Sequence, residues 1–151
     1  MTAERIRIDS GCHCGNLHLA IDWPAGDTII TKRHCGCTFC RKHGGAWTSN
    51  RDASVVISIT DEACISRYRF GTATADFYVC STCGVAPVVV SEIDGNPYAV
   101  VNVNAFAGTP GIEYEDMRTD FDGEETGSRL DRRKRNWIPD VTICPTSSQP
   151  N

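Results

Sequence analysis

The sequence predicts a single, mainly β domain with at most a short helix near its C-terminus. Short segments in which apolar and polar residues alternate recur along the chain, as expected for half-buried strands. The chain has 151 residues, of which 40% are hydrophobic, and this suits one domain with a buried core. Helix signals are confined to the C-terminal region, so strands account for most of the predicted structure.

Seven segments are predicted to be strands, and the last two of them form a hairpin. Residues 5–9 and 17–22 alternate with period two on either side of a cysteine pair. The hairpin strands, residues 88–93 and 98–103, are separated by residues 94–97, which we expect to form a four-residue loop. The other predicted strands are residues 28–33, 54–59 and 65–70.

The C-terminal region contains the helix signals and a polar tail. Ser128 and Asp131 have the spacing of a weak capping box, so the basic segment up to Trp137 is predicted to form a short helix that Pro139 ends. We place the single domain at residues 1–144. Residues 145–151 are predicted to be a disordered tail.

The charge distribution argues against a nucleic-acid-binding protein. The net charge is −4, whereas such proteins usually present a positive field over their binding face. The acidic segment 113–125 and the basic segment 129–135 are predicted to form two solvated faces that pair with or screen each other. No apolar run approaches the ~18 residues of a membrane span, and the N-terminus lacks an apolar signal segment. We therefore expect a cytoplasmic protein with no membrane partner.

Nine cysteines are the most unusual feature of the composition. In a reducing compartment, clustered thiols more often serve as metal ligands or catalytic groups than as disulfides. Seven of the nine fall into three short clusters, with neighbouring glycines that let the backbone turn beneath the sulfurs. Zinc is the default metal for such thiolate sites. The clusters are Cys12/Cys14, Cys35/Cys37/Cys40 and Cys80/Cys83.

Seven clustered cysteines are one short of two four-cysteine sites, which predicts one closed site and one open site. The middle cluster supplies three sulfurs to one zinc and leaves a position free, as in catalytic sites, and the two pairs form a closed structural site. In a second interpretation both metals are structural, and His34, His43 or Cys64 completes the middle site. Cys64 and Cys144 are otherwise expected to be unligated.

Three cysteine motifs follow one another in a fixed order along the chain. They are Gly-Cys-x-Cys-Gly at residues 11–15, Cys-x-Cys-x-x-Cys-Arg-Lys at residues 35–42, and Cys-x-x-Cys-Gly at residues 80–84. This succession resembles the glutathione-dependent formaldehyde-activating enzyme family, which includes S-(hydroxymethyl)glutathione synthase and the related domain of centromere protein V. The chain departs from many members at Gly36, where a histidine is common, and at Val85, where a threonine is common.

The resemblance implies a fold, two metal ions and an activity. The implied fold is a β-tent of small twisted antiparallel sheets held together by zinc. The implied activity is that of a carbon–sulfur lyase, which forms S-(hydroxymethyl)glutathione from glutathione and formaldehyde. By resemblance, Cys12, Cys14, Cys80 and Cys83 bind the structural zinc, and Cys35, Cys37 and Cys40 bind the catalytic zinc.

The residues near the middle cluster suggest how such a site would act. An open zinc position would bind a thiol substrate as thiolate and promote its addition to, or release from, an aldehyde. If the thiol is glutathione, its carboxylates require cations. Arg41 and Lys42 are the predicted substrate-binding residues because they adjoin the metal ligands, and Arg33 and Arg51 are the next candidates.

Other functional classes are also consistent with parts of the sequence. A non-catalytic, zinc-stabilised binding module would require a fourth protein ligand at the middle site. A nucleic-acid or chromatin module is suggested only by the basic residues 132–135. A methionine-sulfoxide reductase would need a reactive cysteine outside the metal ligands, and only Cys64 and Cys144 remain for that role.

Overall fold

The described residues form two β-sheets, two α-helices and two short 3₁₀ turns. The structure is a computed structural model that describes residues 4–26, 28–108 and 111–145. The mainly β class predicted from the sequence is confirmed. The strands are β1 (Arg5–Gly11), β2 (Leu17–Pro24), β3 (Ile29–Cys35), β4 (Trp47–Thr48), β5 (Ser54–Ile59), β6 (Ile65–Tyr68), β7 (Asp76–Cys80), β8 (Val88–Ile93), β9 (Asn96–Asn102), β10 (Glu113–Thr119) and β11 (Asp140–Pro145). The helices are α1 (Thr38–His43) and α2 (Thr126–Asn136), and the 3₁₀ turns are Glu62–Cys64 and Val103–Ala105.

The four-stranded sheet has the strand order β1-β2-β5-β11. β2, one of its two inner strands, alternates more and less buried residues along its length, which agrees with the period-two pattern of the sequence. β1, β2 and β5 pair antiparallel, whereas β11 pairs parallel with β5. The short predicted strand at residues 54–59 is found with the same bounds.

The seven-stranded sheet has the strand order β10-β3-β4-β9-β8-β7-β6. Its neighbours pair antiparallel except β3 and β10, which pair parallel. The resemblance implied antiparallel sheets; the sheets are antiparallel except that each contains one parallel pair. Both parallel pairs join strands that are far apart in the chain, where a long connection permits this orientation.

The loop of the predicted hairpin is shorter than expected. Ile93 pairs with Asn96, so only Asp94 and Gly95 form the turn between β8 and β9. Both residues have positive φ, 52° and 81°, as a two-residue hairpin turn of type I′ requires. The predicted four-residue loop was wrong because the Asp-Gly pair alone closes the hairpin and Pro97 is already part of β9.

The helices differ from the sequence expectation in number and position. Helix α1 was not predicted; Cys37 caps its N-terminus, and Gly44, with φ 85°, caps its C-terminus. Helix α2 begins at Thr126, before the predicted cap Ser128, and its N-cap Glu125 makes no side-chain capping hydrogen bond. Residues 146–151, the larger part of the predicted tail, lie outside the described residues.

Strands β8 and β9 are buried on both faces and separate two apolar clusters. Val88, Val90 and Val101 face the main core between the two sheets, together with residues of β1, β2 and β5. Val89 and Val100 face the opposite side, where they contact a second cluster that includes Trp47, Trp137 and Cys40. The continuous apolar run in β8 reflects this burial on two faces. No helix within the described residues is long and apolar enough to cross a membrane.

Candidate metal centres and an arginine-lined cavity

The first and last cysteine clusters meet at one point of the fold. Cys12 and Cys14 lie in the turn after β1, Cys80 ends β7, and Cys83 lies in the turn that follows β7. The Cys12–Cys14 and Cys14–Cys80 sulfur distances are 3.7 and 3.4 Å, and all four sulfurs lie within 4.8 Å of one another. Sulfurs around a tetrahedral metal with bonds of about 2.3 Å are about 3.8 Å apart, so this donor set fits a metal such as zinc.

Backbone hydrogen bonds shape both turns of this four-sulfur group. The N–H of Cys12 donates to the carbonyl of Leu17 at 2.9 Å, and the N–H of Leu17 donates to the Cys12 sulfur at 3.2 Å. In the other turn, the N–H of Gly84 donates to the carbonyl of Cys80 at 2.8 Å, and Gly84 has φ 83°. A positive φ is least costly for glycine, which explains the glycine next to the last cysteine pair.

The middle cluster forms a separate three-sulfur group on the other side of the seven-stranded sheet. Cys35 ends β3, Cys37 is the N-cap of α1, and Cys40 lies inside α1, where it is 5% exposed. The three sulfurs lie within 4.8 Å of one another. The N–H of Cys40 donates to the Cys37 sulfur at 3.4 Å, so the first turn of α1 itself points backbone donors at the sulfurs.

The thiols of the three-sulfur group compete for protons. The hydrogen bond from Cys40 lowers the pKa of Cys35 to about 6, against the opposing effect of burial. The same contact and burial raise the pKa of Cys40. Such a group favours partial deprotonation, which is the state that a metal ion requires of thiol ligands.

No other described side chain completes the three-sulfur group. A histidine, cysteine or carboxylate with a ligand atom within 4.8 Å of all three sulfurs would belong to the group, and among the described residues there is none. His34 instead lies 2.8 Å from Asp116, and Cys64 donates to Asp61 at 3.4 Å. The buried ring nitrogens of His43 have no hydrogen-bond partner in the described part of the chain. The group therefore has three protein ligands in the described structure.

Comparisons with known proteins place the chain in a family. The sequence model of the glutathione-dependent formaldehyde-activating enzyme matches residues 7–117, a range that contains both sulfur groups. The chain belongs to this family. Among solved structures, a Rhodobacter sphaeroides protein from structural genomics is 25% identical, with a TM-score of 0.47; the match covers 71% of this chain and 99% of that chain. No curated protein sequence matches the chain.

In this member of the glutathione-dependent formaldehyde-activating enzyme family, a cavity of about 560 Å³ opens beside the three-sulfur group. We call it the inner cavity. Its size falls within the range of ordinary small-molecule sites. One part of its wall is apolar and aromatic, and the other part carries four arginines and two acidic residues. The residues that line it include Arg33, Trp47, Asp122, Glu124, Arg129, Arg132, Arg133 and Trp137.

Three of the cavity arginines come from one face of α2. Arg129, Arg132 and Arg133 have the spacing i, i+3 and i+4, which places side chains on one side of a helix. The sequence interpretation treated this basic segment as a solvated face, and for Arg133, which is 7% exposed, that was wrong. The helical spacing of these arginines, with Trp137 four residues after Arg133, was the signal that could have identified them.

Arg133 is held by neutral oxygens. Its Nη1 donates to Thr74 Oγ1 at 2.9 Å and to Ser91 Oγ at 3.0 Å, and its guanidinium lies 4.8 Å from the centre of the Trp137 ring. Burial and the neighbouring Arg129 and Arg132 lower the pKa of Arg133 to about 10. An anionic group in the cavity would relieve this destabilisation of the charged form.

The sequence predicted that the acidic and basic segments pair, and Arg132 forms such a pair with Glu124. Its Nη2 and Nε lie 3.0 and 3.2 Å from Glu124 Oε1, and its guanidinium lies 3.6 Å from the centre of the Phe121 ring. The hydrogen bond from Arg132 lowers the pKa of Glu124. This pair fixes one wall of the inner cavity.

The predicted substrate-binding residues lie on the last turn of α1. Arg41 and Lys42 are both exposed. Arg41 lines a further cavity of about 430 Å³, which also contacts Cys35, Cys40 and Arg118. Neither Arg41 nor Lys42 lines the inner cavity. Arg33, the next candidate from the sequence, does line it.

Proposed function

We propose that this protein is a zinc-dependent carbon–sulfur lyase or synthase that acts on thiol–aldehyde adducts, such as S-(hydroxymethyl)glutathione. Membership of the glutathione-dependent formaldehyde-activating enzyme family supports the substrate class. The observation that carries the proposal is a group of three cysteine sulfurs, without a fourth ligand among the described residues, at the edge of a cavity large enough for a small molecule. Three protein ligands beside an accessible cavity are typical of catalytic rather than structural zinc.

We assign the two sulfur groups different roles. Cys12, Cys14, Cys80 and Cys83 would hold a structural zinc, because four sulfurs close the coordination shell. Cys35, Cys37 and Cys40 would hold the catalytic zinc. When bound there, zinc would supply a lowered pKa for the substrate thiol and polarisation of the aldehyde oxygen.

The side chains around the inner cavity would bind and orient the substrate. Trp47 Nε1, Arg129 Nε and Arg133 Nε are buried donors that have no hydrogen-bond partner in the described structure. All three residues line the inner cavity. Unpaired buried donors are costly, so a substrate that offers acceptor atoms would gain binding energy here. The aromatic wall around Trp47 and Phe77 would exclude water from the reacting groups.

Arg41 and Lys42 remain predicted substrate-binding residues in this proposal, although neither lines the inner cavity. Their exposure predicts a smaller contribution to binding than that of Arg129 and Arg133, because water screens exposed charges. The cytoplasmic location expected from the sequence also stays a prediction.

Substitution of Cys40 tests the proposal. We expect Cys40→Ala to remain folded, to lose one of two bound zinc ions, and to lose catalysis of hemithioacetal exchange between glutathione and formaldehyde. Metal analysis and exchange spectroscopy by NMR measure the two effects. Cys144→Ala is the matched control, because Cys144 is an exposed thiol on β11 outside both sulfur groups. An unchanged exchange rate in Cys40→Ala would contradict the proposal.

A further inference from the structure

A third cavity, of about 340 Å³, adjoins the inner cavity. We call it the outer cavity. Arg33, Phe121, Arg132 and Trp137 line both cavities, so the two share a wall. To reach the outer cavity, a ligand whose sulfur lies at the three-sulfur group would pass between these four side chains. The other residues of the outer cavity are Ser49, Asn50, Arg51, Arg135 and Asn136.

The outer cavity concentrates positive charge. Four arginines line it, and no acidic residue occurs among its described lining residues. Glu124 compensates Arg132 from the side of the inner cavity. Arg33, Arg51 and Arg135 form no ion pair within residues 4–26, 28–108 and 111–145, which leaves three positive charges without compensation around one small space.

Arg33 shows that the positive charge of the outer cavity does not lie only on fully solvated side chains. It is partly buried, and its Nη2 donates to Ser49 Oγ at 2.7 Å, whose hydroxyl in turn donates to the carbonyl of Asn136 at 2.8 Å. Arg132 lines the same cavity. A partly buried cation that lies beside a neutral hydroxyl and near a second cation is stabilised when an anion binds between the two cations.

The two cavities differ in the anion that they suit. The inner cavity combines arginines with Asp122 and Glu124, so it can accept a group that carries an ammonium beside its carboxylate. None of the described residues that line the outer cavity offers a carboxylate to an ammonium. Its charge is complementary to an oxyanion that has no ammonium beside it. The guanidinium N–H groups of arginine can donate to the oxygens of either a carboxylate or a phosphate.

The geometry points to the outer cavity as a binding subsite for an isolated oxyanion at the end of the thiol substrate farthest from the sulfur. The assignment of the ligand to a thiol rests on the proposed function. A terminal carboxylate and a phosphate monoester share this chemistry. Arg51 and Arg135 are the residues that define the subsite, since they are exposed to the outer cavity and do not line the inner one.

Binding measurements with S-methylated thiols test this subsite without requiring turnover. The carboxylate probes are S-methylglutathione and the same compound amidated at its glycine carboxylate. The phosphate probes are S-methyl-4′-phosphopantetheine and S-methylpantetheine. Binding to the zinc-loaded wild-type protein is measured by isothermal titration calorimetry. In one of the two pairs, the compound that retains the terminal oxyanion should bind about tenfold more tightly than the compound that lacks it.

The double variant Arg51→Gln/Arg135→Gln should abolish this difference within the preferred pair. Arg5→Gln/Arg7→Gln removes the same charge from two exposed side chains of β1, in the other sheet, and should retain the difference. The inference is overturned if the wild type shows no preference in either pair, or if the double variant keeps it. If the preference depends on Arg51 and Arg135 but hemithioacetal exchange is absent, the subsite stands and the proposed function fails.

Discussion

At the scale of single residues, Gly11 shows how strictly the backbone constrains the four-sulfur group. A Cβ atom at this position would lie 2.2 Å from the carbonyl oxygen of Leu17, and the φ of Gly11 is +157°. That same carbonyl accepts the hydrogen bond from Cys12. A side chain at Gly11 would therefore displace Cys12, the first cysteine of the four-sulfur group.

We expect Gly11→Ala to lower the free energy of unfolding by about 2 kcal/mol and to weaken metal binding, because the backbone must move. Denaturant unfolding and metal titration measure both effects. Gly26→Ala is the control, since a Cβ there meets no atom within 4 Å. Equal stabilities of the two variants would contradict this role of Gly11.

Spacing alone identified the seven clustered cysteines, because metal ligands recur at short, fixed intervals that a sequence displays directly. It did not identify Arg129 and Arg133 as cavity residues. Their charge predicted solvent exposure, and only the packing of α2 beside Trp137 and β8 shows that this face of the helix is covered.

At the scale of elements, the anchoring of α2 depends on the pair of Glu124 and Arg132. Both side chains are mostly buried, with 21% and 17% of their surface exposed. Arg129 adds a hydrogen bond from its Nη2 to the carbonyl of Phe121 at 2.8 Å. These contacts join the start of α2 to the segment that follows β10, and this segment forms one wall of the inner cavity.

This pair predicts a pH-dependent contribution to stability. The folded-state pKa of Glu124 is lowered by its hydrogen bond from Arg132, so the contribution is present above the unfolded-state pKa of about 4.3 and is lost as the pH falls through the folded-state value. We expect Glu124→Gln to cost about 1 kcal/mol at pH 7 and progressively less below pH ~4.

Thermal unfolding of Glu124→Gln and Glu125→Gln across this pH range is the measurement. Glu125 is the matched control because it is exposed and makes no capping hydrogen bond at the start of α2. Loss of metal in acid affects both variants alike, so their difference isolates the pair. A difference that stays constant down to pH 3 would contradict the prediction.

The elements that the sequence predicted well are those with a pattern of their own. Strands β2 and β5 alternate buried and exposed residues, and Asp-Gly marks the β8–β9 turn. Strand β10 carries no such pattern, because nearly all its residues are exposed and it is a strand only through its pairing with β3. Helix α1 is six residues long, too short for a hydrophobic period to appear.

At the scale of the whole molecule, the four-sulfur group joins the two sheets. Cys12 and Cys14 follow β1 of the four-stranded sheet, whereas Cys80 ends β7 of the seven-stranded sheet and Cys83 lies in the turn after it. A structural zinc contributes about 10–16 kcal/mol of apparent binding free energy, which is comparable with the 5–15 kcal/mol that typically stabilises a domain. The three-sulfur group lies within one sheet and its adjoining helix α1. It does not join the two sheets, so we expect it to contribute less to the stability of the fold.

The two groups should therefore respond differently to loss of a ligand or metal. We expect Cys83→Ala to fail to fold, while Cys40→Ala folds with a melting temperature close to that of the wild type. A chelator should remove two metals in sequence, and only removal of the second should unfold the protein. Circular dichroism with a colorimetric metal indicator follows both steps. A stable Cys83→Ala protein that retains activity would contradict the structural assignment.

The sequence by itself determined the mainly β class, the membership suggested by the cysteine motifs, and the division of seven cysteines into four and three. These features are local, since alternation and ligand spacing are set by neighbours in the chain. Only the tertiary structure decided that each sheet contains one parallel pair, that three arginines of α2 line the inner cavity, and that the adjoining outer cavity has no acidic residue among its described lining residues. These depend on contacts between residues far apart in the sequence, where the free energy of packing rather than any local pattern selects the arrangement.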